Sequence, residues 1–263
     1  MINICPLFSG SSGNSTYIEV NGTGILLDAG VSMKRIITAL QRIGKSGSDL
    51  SALLITHEHI DHIQSLGAIA RKFKIPVYAT VNTWRTMYKS LGKIEKSQIK
   101  PVYEGQTETI GDLRFVAFSI PHDAAEPVGY TFSDGEKKLT VATDIGEMND
   151  KVFLSLSGSD GILLEANHDI DMLLGGAYPY PLKKRIRGKY GHLSNDEAAA
   201  TCARLVTLGT KTILLGHLSA ENNSPEAALK TVSGSISDTG AQIGKDVYLD
   251  VILREQEREL QTI

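Results

Sequence analysis

The chain has 263 residues, of which 41% are hydrophobic and 22% are charged. This composition is typical of a globular protein with a sizeable core and excludes a disordered chain. The 27 basic and 30 acidic side chains give a formal net charge of −3. A generally basic nucleic-acid coat is therefore excluded, whereas a local basic patch is not.

The sequence also narrows the expected compartment. No apolar run approaches the ~18 residues of a membrane span, and the first residues lack the pattern of a signal peptide. The two cysteines, Cys5 and Cys202, are too few for a disulfide scaffold and lie in apolar surroundings. We therefore expect a cytoplasmic protein with no membrane partner and with two inert core thiols.

The apolar spacing predicts short strands first and an alternation of strands and helices later. In chain order, the first third predicts strands at 2–8, 15–20 and 25–27, a helix at 36–43, a strand at 50–56, a helix at 62–73, a strand at 75–79 and a helix at 83–91. Residues 102–141 are β-rich, and the last third predicts strands at 162–165, 212–215 and 247–253 with helices at 196–208 and 225–236. We expect one α/β domain over residues 1–263, with helices covering the outer faces of its sheets.

Histidine and aspartate residues recur where the predicted strands end. Six of them directly follow strand-like runs, namely Asp28, His57, His122, Asp144, His168 and His217. In layered α/β folds, loops at strand ends form sites on a rigid scaffold. We therefore expect one shared site built from distant segments of the chain.

The densest group of candidate ligands is the run of residues 57–62. Imidazole and carboxylate groups are the usual ligands of divalent metals such as zinc. His57 and His59 alternate and can face one ion, while Asp61 and His62 turn toward a second. The alternative is a surface loop that happens to be rich in histidine, but the buried-looking strand before it favours a metal site.

Competing motifs fail at single positions. A zincin helix that starts at His57 would need a second histidine at position 61, which is Asp61. A Walker A loop would need a glycine at position 39, which is Ala39. A Gly-x-Ser-x-Gly nucleophile elbow is absent from the sequence.

The pattern His57-x-His59-x-Asp61-His62 and its distant companions resemble the metallo-β-lactamase fold superfamily. The resemblance covers essentially the whole chain and implies an αββα four-layer sandwich of two mixed β-sheets flanked by helices, with two metals at one edge. The implied ligands are His57, His59 and His122 for the first ion, Asp61, His62 and His217 for the second, and Asp144 as the bridge. Asp28 is implied to orient the histidine motif through hydrogen bonds.

Four further segments, residues 9–15, 122–130, 165–169 and 191–195, resemble the YycJ/WalJ group of that superfamily. The group is similar to ribonuclease Z and related nucleases, and the resemblance implies DNA exonuclease activity in the 5′→3′ direction. The 73 positions from Asp144 to His217 are too few for the cap domain inserted in longer members. We therefore expect no cap domain and no cleavage guided to internal sites.

Two histidines lie outside the implied ligand set. His192 precedes a predicted helix, and we expect it to protonate the leaving oxygen as a general acid. The structural alternative is a helix-entry residue beside a cap at Ser194 or Asn195. His168 either contacts substrate or braces a ligand, and the sequence does not decide between these roles. Asp61 is expected to help orient the attacking hydroxide.

Two segments are candidates for substrate binding. Residues 9–15 are small, polar and glycine-rich, so the amides around Ser11, Ser12 and Asn14 can form a nest for a phosphate, with a flexible turn as the alternative. Residues 172–195 contain no acidic residue and interleave basic side chains with tyrosines. Lys184, Arg185 and Tyr190 are expected to neutralise phosphates and stack bases, with a solvated helix face as the alternative.

Together these features predict a dinuclear metal-dependent phosphodiesterase that acts as an exonuclease on DNA ends. Two divalent ions per chain are expected, zinc or manganese, and iron suits such ligands too. One alternative is a hydrolase of a small ester, thioester or lactam. A non-enzymatic alternative is a metal-bound regulatory partner of a two-component signalling system.

Overall fold

The computed structural model of the protein describes residues 1–254 and 259–263. These residues form two compact units. The first unit comprises residues 1–119, 124–137 and 259–263, and the second comprises residues 120–123 and 138–254. Among the described helices, none is both long enough and apolar enough to cross a membrane. The interpretation as one domain without a cap stays a prediction.

The described residues of the first unit contain ten strands and four α-helices. The strands are β1 (Ile2–Phe8), β2 (Ser15–Val20), β3 (Thr23–Leu27), β4 (Leu50–Leu54), β5 (Val77–Thr80), β6 (Ile99–Val102), β7 (Thr107–Ile110), β8 (Leu113–Ser119), β9 (Val128–Ser133) and Gln261–Thr262 at the end. The helices are α1 (Met33–Arg42), α2 (Ile60–Ile63), α3 (Leu66–Phe73) and α4 (Val81–Met87).

Seven of these strands form a mixed sheet in the order C-terminal strand, β1, β2, β3, β4, β5, β6. The pairs up to β2–β3 are antiparallel, and the pairs from β3–β4 to β5–β6 are parallel. Asn21 and Gly22 make the β2–β3 hairpin turn at φ values of +48° and +85°, which suit a two-residue turn that follows the strand twist. Strands β7, β8 and β9 form an antiparallel meander in the same unit.

Helix α1 packs on the core of the first unit through one apolar face. Ile36 and Leu40 stand one turn apart and are fully buried in the core of this unit. Burial of each such side chain contributes about 1.5–3 kcal/mol. The helix ends at Arg42, and Gly44 just beyond it has a φ of +71°, which allows Lys45 N–H to donate to the Leu40 carbonyl across the helix end. The buried face therefore fixes the helix on the sheet, and its opposite face carries polar side chains.

The second unit contains four strands and five helices. The strands β10 (Lys138–Ala142), β11 (Gly161–Glu165), β12 (Thr212–Gly216) and β13 (Tyr248–Val251) pair in parallel in that order. The helices are α5 (Asp150–Leu156), α6 (Ile170–Gly175), α7 (Tyr180–Ile186), α8 (Asn195–Thr207) and α9 (Pro225–Asp238). Every residue of β11 and β12 is buried, as expected of central parallel strands covered on both faces.

The predicted elements are largely confirmed, with two kinds of difference. The helix predicted over 62–73 is two helices, α2 and α3, separated at Gln64 and Ser65. Helices α5 and α6 were not predicted, and α7 was considered only as the alternative interpretation of the basic segment, because six or seven residues are too few to establish a helical period. The helix-entry cap next to His192 is Ser194, which accepts from Glu197 N–H in a capping box.

Candidate metal centre

The candidate ligands follow parallel strands within each unit. In the first unit, Asp28 directly follows β3 and His57 lies three residues beyond the end of β4. In the second unit, Asp144 follows β10, Glu165 ends β11 and His217 follows β12. Since the carboxyl ends of parallel neighbours lie at one edge of a sheet, each unit gathers its own polar residues at one edge.

Three of these residues have left-handed backbones at the strand ends. Asp28, Asp144 and His217 have φ values of +60°, +61° and +56°. Such a conformation costs a non-glycine residue on the order of 1–3 kcal/mol and persists where surrounding contacts enforce it. The fold therefore holds these three side chains in place against a backbone cost, as is common at functional sites.

In the first unit, the histidine motif brings two ring nitrogens together. His57 Nε2 lies 3.0 Å from His59 Nδ1, and His57 is fully buried. Two nitrogen ligands at about 2.0–2.1 Å from one tetrahedral ion lie ~3.3 Å apart. The spacing of this pair therefore fits two ligands of a single metal ion.

His62 is held in one orientation by Asp28. Its Nδ1 lies 2.7 Å from Asp28 Oδ2, and the same carboxylate accepts from Thr56 N–H and Thr56 Oγ1, each at 2.9 Å. A carboxylate behind the ring fixes the proton on Nδ1 and presents the lone pair of Nε2, as in metal-binding histidines. The predicted orienting contact of Asp28 is thus present in the first unit.

The glycine-rich loop reaches the histidine motif through Asn14. Asn14 is buried, its Nδ2 lies 3.1 Å from His62 Nε2, and its backbone N–H donates to the Asp61 carbonyl at 2.8 Å. Ser11 and Ser12 are exposed at the tip of the loop. The loop is therefore tied to the motif and is not a free turn, while phosphate binding by Ser11, Ser12 and Asn14 stays a prediction.

In the second unit, Asp144 lies among three histidines. His217 Nε2 is 3.5 Å, His122 Nε2 is 3.8 Å and His192 Nδ1 is 3.9 Å from Asp144 Oδ1. His122 Nδ1 donates to the Gly191 carbonyl at 3.1 Å, which leaves Nε2 as the ring nitrogen with a lone pair. The predicted bridge Asp144 and the predicted ligands His122 and His217 are thus neighbours in this unit.

Glu165 is the residue of this cluster that the sequence did not identify as functional. Its side chain is fully buried, and Oε1 lies 2.8 Å from both His192 Nδ1 and His217 Nδ1. Its Oε2 accepts from the backbone N–H groups of Ile145 and Leu193 at 2.7 and 3.2 Å. One carboxylate therefore orients two histidines, and the only sequence signal for it was an acid at the end of an apolar strand.

The protonation of this cluster follows from its burial and pairing. Burial raises the pKa of Glu165, but the charge of His192 and the hydrogen bonds from His192 and His217 outweigh it and lower the pKa to about 2. Burial lowers the pKa of His192, and the Glu165 charge outweighs it and raises the pKa to about 9. The pKa of His217 is raised in the same way by Asp144 and Glu165 against burial.

Asp144, Glu165, His192 and His217 form a group that can bind a metal ion. One oxygen or nitrogen atom from each of the four lies within 4.8 Å of the others. Carboxylates and imidazoles are donors that divalent zinc, manganese and iron accept. The donor chemistry and the buried, hydrogen-bonded supports therefore fit divalent metal binding.

His168 lies buried beside this group and is not one of its donors. Its Nδ1 has no hydrogen-bond partner among the described residues, and its ring is 1% exposed. Burial lowers its pKa to about 4, so the ring is neutral near pH 7. A neutral, buried ring of this kind suits bracing of the ligands, and the role of His168 stays a prediction.

The basic segment of the second unit contains helix α7. Lys184 and Tyr190 are exposed, and Arg185 Nε donates to Asp123 Oδ2 at 2.7 Å. Asp123 Oδ1 in turn lies 3.4 Å from His122 Nε2. Arg185 therefore also positions the acid next to a candidate ligand, which the sequence pattern did not indicate.

The family model of the beta-lactamase superfamily domain matches residues 23–218 of the chain. The matched region includes all of the implied metal ligands and Glu165.

Curated relatives match nearly the whole chain. The exodeoxyribonuclease WalJ of Streptococcus pneumoniae is 42% identical over 243 residues, which are 91% of this chain and 90% of the relative. The exodeoxyribonuclease YycJ of Bacillus anthracis is 38% identical over 244 residues, 93% of this chain and 92% of the relative.

A solved structure with a similar fold is the zinc-bound PqqB of Methylobacterium extorquens. It is 16% identical, has a TM-score of 0.76 and covers 100% of both chains. The metallo-β-lactamase fold protein YhfI of Bacillus subtilis is 15% identical, has a TM-score of 0.72 and is matched over 97% of this chain and 98% of that one. Together the two structures confirm the expected fold of two mixed β-sheets flanked by helices.

Proposed function

We propose that this chain, which belongs to the beta-lactamase superfamily and within it to the family of the WalJ and YycJ exodeoxyribonucleases, removes nucleotides from DNA ends by metal-dependent hydrolysis of phosphodiester bonds. The observation that carries the proposal is the 38–42% identity to two named exodeoxyribonucleases over more than nine-tenths of the chain. The buried histidine and carboxylate donors supply the chemistry that such a reaction requires.

The proposed cofactor is a pair of divalent ions, zinc or manganese, with iron also suitable. Bound ions supply charge neutralisation at the phosphate and increase the acidity of the attacking water. The proposed ligands are those that the superfamily resemblance implies: His57, His59, Asp61, His62, His122, Asp144 and His217. The Nδ1 contacts of His62, His122 and His217 support the assignment, because each leaves Nε2 as the donor to a metal.

Three protein side chains have the remaining catalytic roles in the proposal. Asp61 is 25% exposed and orients the attacking water as a hydrogen-bond acceptor. His192 is 19% exposed, with Nδ1 held by Glu165, and donates a proton to the leaving oxygen from Nε2. The Glu165 carboxylate holds the protonated ring in one orientation and stabilises its charge, as an acid behind a catalytic histidine does in a hydrolase triad.

The substrate contacts in the proposal follow the sequence pattern. Ser11, Ser12 and Asn14 accommodate the terminal phosphate, and Lys184, Arg185 and Tyr190 contact the strand. The exposed positions of Ser11, Ser12, Lys184 and Tyr190 support these roles. We place the protein in the cytoplasm, which suits two buried cysteines that form no disulfide.

The test is a substrate panel with manganese- or zinc-reconstituted protein. End-labelled linear DNA, closed-circular DNA, an RNA of the same sequence and the lactam nitrocefin are incubated with the wild type and with His59→Ala. We expect stepwise release of nucleotides from linear DNA, an intact circle, little lactam turnover, and loss of activity on chelation.

Three results would contradict the proposal in different ways. Rapid nitrocefin or ester turnover with intact DNA would favour the small-molecule hydrolase. Full activity of chelated wild type or of His59→Ala would refute metal-dependent catalysis. Equal cutting of circle and linear DNA would refute only the requirement for an end.

A further inference from the structure

A basic cleft lies on the first unit, on the polar side of α1. It is lined by Phe8, Lys34, Arg35, Thr38 and Arg42 and encloses about 410 Å³. None of the proposed metal ligands or substrate contacts is among its lining residues. The proposed function therefore leaves this cleft without a role.

The charged side chains of helix α1 are all basic. Residues 33–42 contain three basic side chains and no acidic one. Lys34, Thr38 and Arg42 follow each other at four-residue spacing and are exposed. At 1.5 Å per residue, these positions span ~12 Å of helix axis, which equals the rise of three to four nucleotides at 3.4 Å each. This spacing allows one DNA strand to contact several donors at once.

Phe8 gives the cleft a fixed wall. Its ring is 9% exposed, and the Arg35 guanidinium carbon lies 4.6 Å from the ring centroid. A guanidinium over an aromatic face is held by cation–π attraction and loses less freedom on binding an anion. Because Arg35 covers the ring, Phe8 positions a cation and is not a platform for stacking bases. The cleft is thus suited to a phosphate backbone more than to base recognition.

Two chain segments connect the cleft to the histidine motif within the first unit. Phe8 leads into residues 9–14, and Asn14 contacts His62. Asp28, which holds His62, leads through residues 29–32 into α1. The six residues that follow Phe8, up to Asn14, span at most ~22 Å even when fully extended. The cleft wall at Phe8 and the histidine motif beside Asn14 are therefore no farther apart than the length of a short oligonucleotide.

We infer that the basic cleft binds the sugar–phosphate backbone of the DNA strand whose terminal nucleotide is at the histidine motif. The inference rests on the proposed exonuclease function and extends it, because it assigns a second, separate contact with the substrate. It makes the cleft a determinant of affinity for strands longer than the few nucleotides at the motif. Binding there is independent of base sequence, since phosphates carry no sequence information.

The experiment compares two double variants with the same change in charge. Lys34→Gln/Arg42→Gln neutralises the cleft, and Lys89→Gln/Lys96→Gln neutralises two exposed lysines elsewhere in the first unit. Metal-loaded proteins are assayed on a 30-nucleotide single-stranded DNA over a range of NaCl concentrations. A small phosphodiester, thymidine 5′-(p-nitrophenyl phosphate), is the short substrate, and metal content and thermal midpoint are measured for each protein.

We expect the cleft variant to raise KM for the 30-nucleotide strand about 10-fold with little change in kcat. Loss of two phosphate contacts also lowers the slope of log KM against log salt by ~1.4. Turnover of the short substrate, metal content and the behaviour of the control variant remain those of the wild type.

The inference would be overturned if the wild type degrades the strand and Lys34→Gln/Arg42→Gln has the same KM and the same salt slope. That result would leave the proposed function intact. An equal rise of KM in the cleft variant and the control variant would also overturn the inference, because such a rise would reflect net charge alone. A wild type that degrades no DNA would refute the proposed function together with the inference.

Discussion

His217 Nδ1 lies 2.8 Å from Glu165 Oε1, and both side chains are almost completely buried. The two residues are 52 positions apart in the chain, and the parallel register of β11 with β12 pairs Glu165 with Gly216. A fully buried carboxylate is costly unless it is paired and hydrogen-bonded, and Glu165 has both kinds of support. The contact therefore gives Glu165 a defined task, which is to orient the imidazole.

Glu165→Gln tests that task. An amide is uncharged and can donate where the carboxylate accepts, so the rings of His192 and His217 lose the acceptor that holds both Nδ1–H groups in place. We expect metal affinity to fall about 10–100-fold, the range for a lost partner behind a metal-binding histidine. The measurement is metal titration of purified protein, with Glu226→Gln, an exposed acid of the second unit, as the matched control.

Unchanged metal affinity in Glu165→Gln would show that the carboxylate serves the fold alone. The thermal midpoint of the metal-free proteins separates a true loss of metal affinity from unfolding of the variant.

His192→Ala distinguishes a general acid from a ligand. As a general acid, His192 contributes about 10²–10⁴-fold to turnover, so the variant retains its metal and loses rate by that factor. The distances to Asp144 and Glu165 also permit metal binding by His192, and then the variant loses metal as well as rate. Metal analysis beside single-turnover kinetics decides between the two, and loss of metal would contradict the general-acid role.

Lys184 and Arg185 are expected to behave differently although they are neighbours in α7. Lys184→Gln removes an exposed cation, so it lowers the salt slope of log KM on single-stranded DNA by ~0.7 and leaves kcat unchanged. Arg185→Gln also releases Asp123, which lies 3.4 Å from His122 Nε2, so kcat falls too. Steady-state kinetics at several NaCl concentrations measure both effects. Identical profiles for the two variants would refute a positioning role of Arg185.

We expect the stability of the first unit to fall in acid because Glu19 becomes protonated. Burial raises the pKa of Glu19, but hydrogen bonds from Lys45 and Tyr17 outweigh it and hold the pKa below the ordinary value of a glutamate. Its stabilisation is therefore present above the unfolded pKa and is lost as pH falls through the folded value. Glu19→Gln lowers the thermal midpoint at pH 7 and has little effect at the lowest pH that preserves folding.

Thermal unfolding in the presence of a chelator checks this dependence without a contribution from metal loss. The control is Glu136→Gln, which changes an exposed acid of the same unit. If Glu19→Gln lowers the thermal midpoint by the same amount at every pH, the ion pair is not the cause of the loss.

The sequence by itself determined most elements and the identity of the candidate ligands. Alternating and continuous apolar runs predicted β1 and β2 with the bounds that the structure has, Ile2–Phe8 and Ser15–Val20. The spacing of residues 57–62 indicated a metal motif, because the chemistry of a ligand is carried by its residue type.

Tertiary structure alone decided which of those groups meet and what supports them. Glu165 resembled any acid at a strand end until strand register placed it beside His192 and His217. The sequence pattern indicated Arg185 only as a substrate cation, and its ion pair with Asp123 and the packing of Arg35 over Phe8 are visible only in the structure. Residue type and hydrophobic periodicity are properties of short stretches of sequence, whereas these contacts join positions 27 to 62 residues apart. They arise only when strand pairing and helix packing bring distant backbone segments within hydrogen-bond distance.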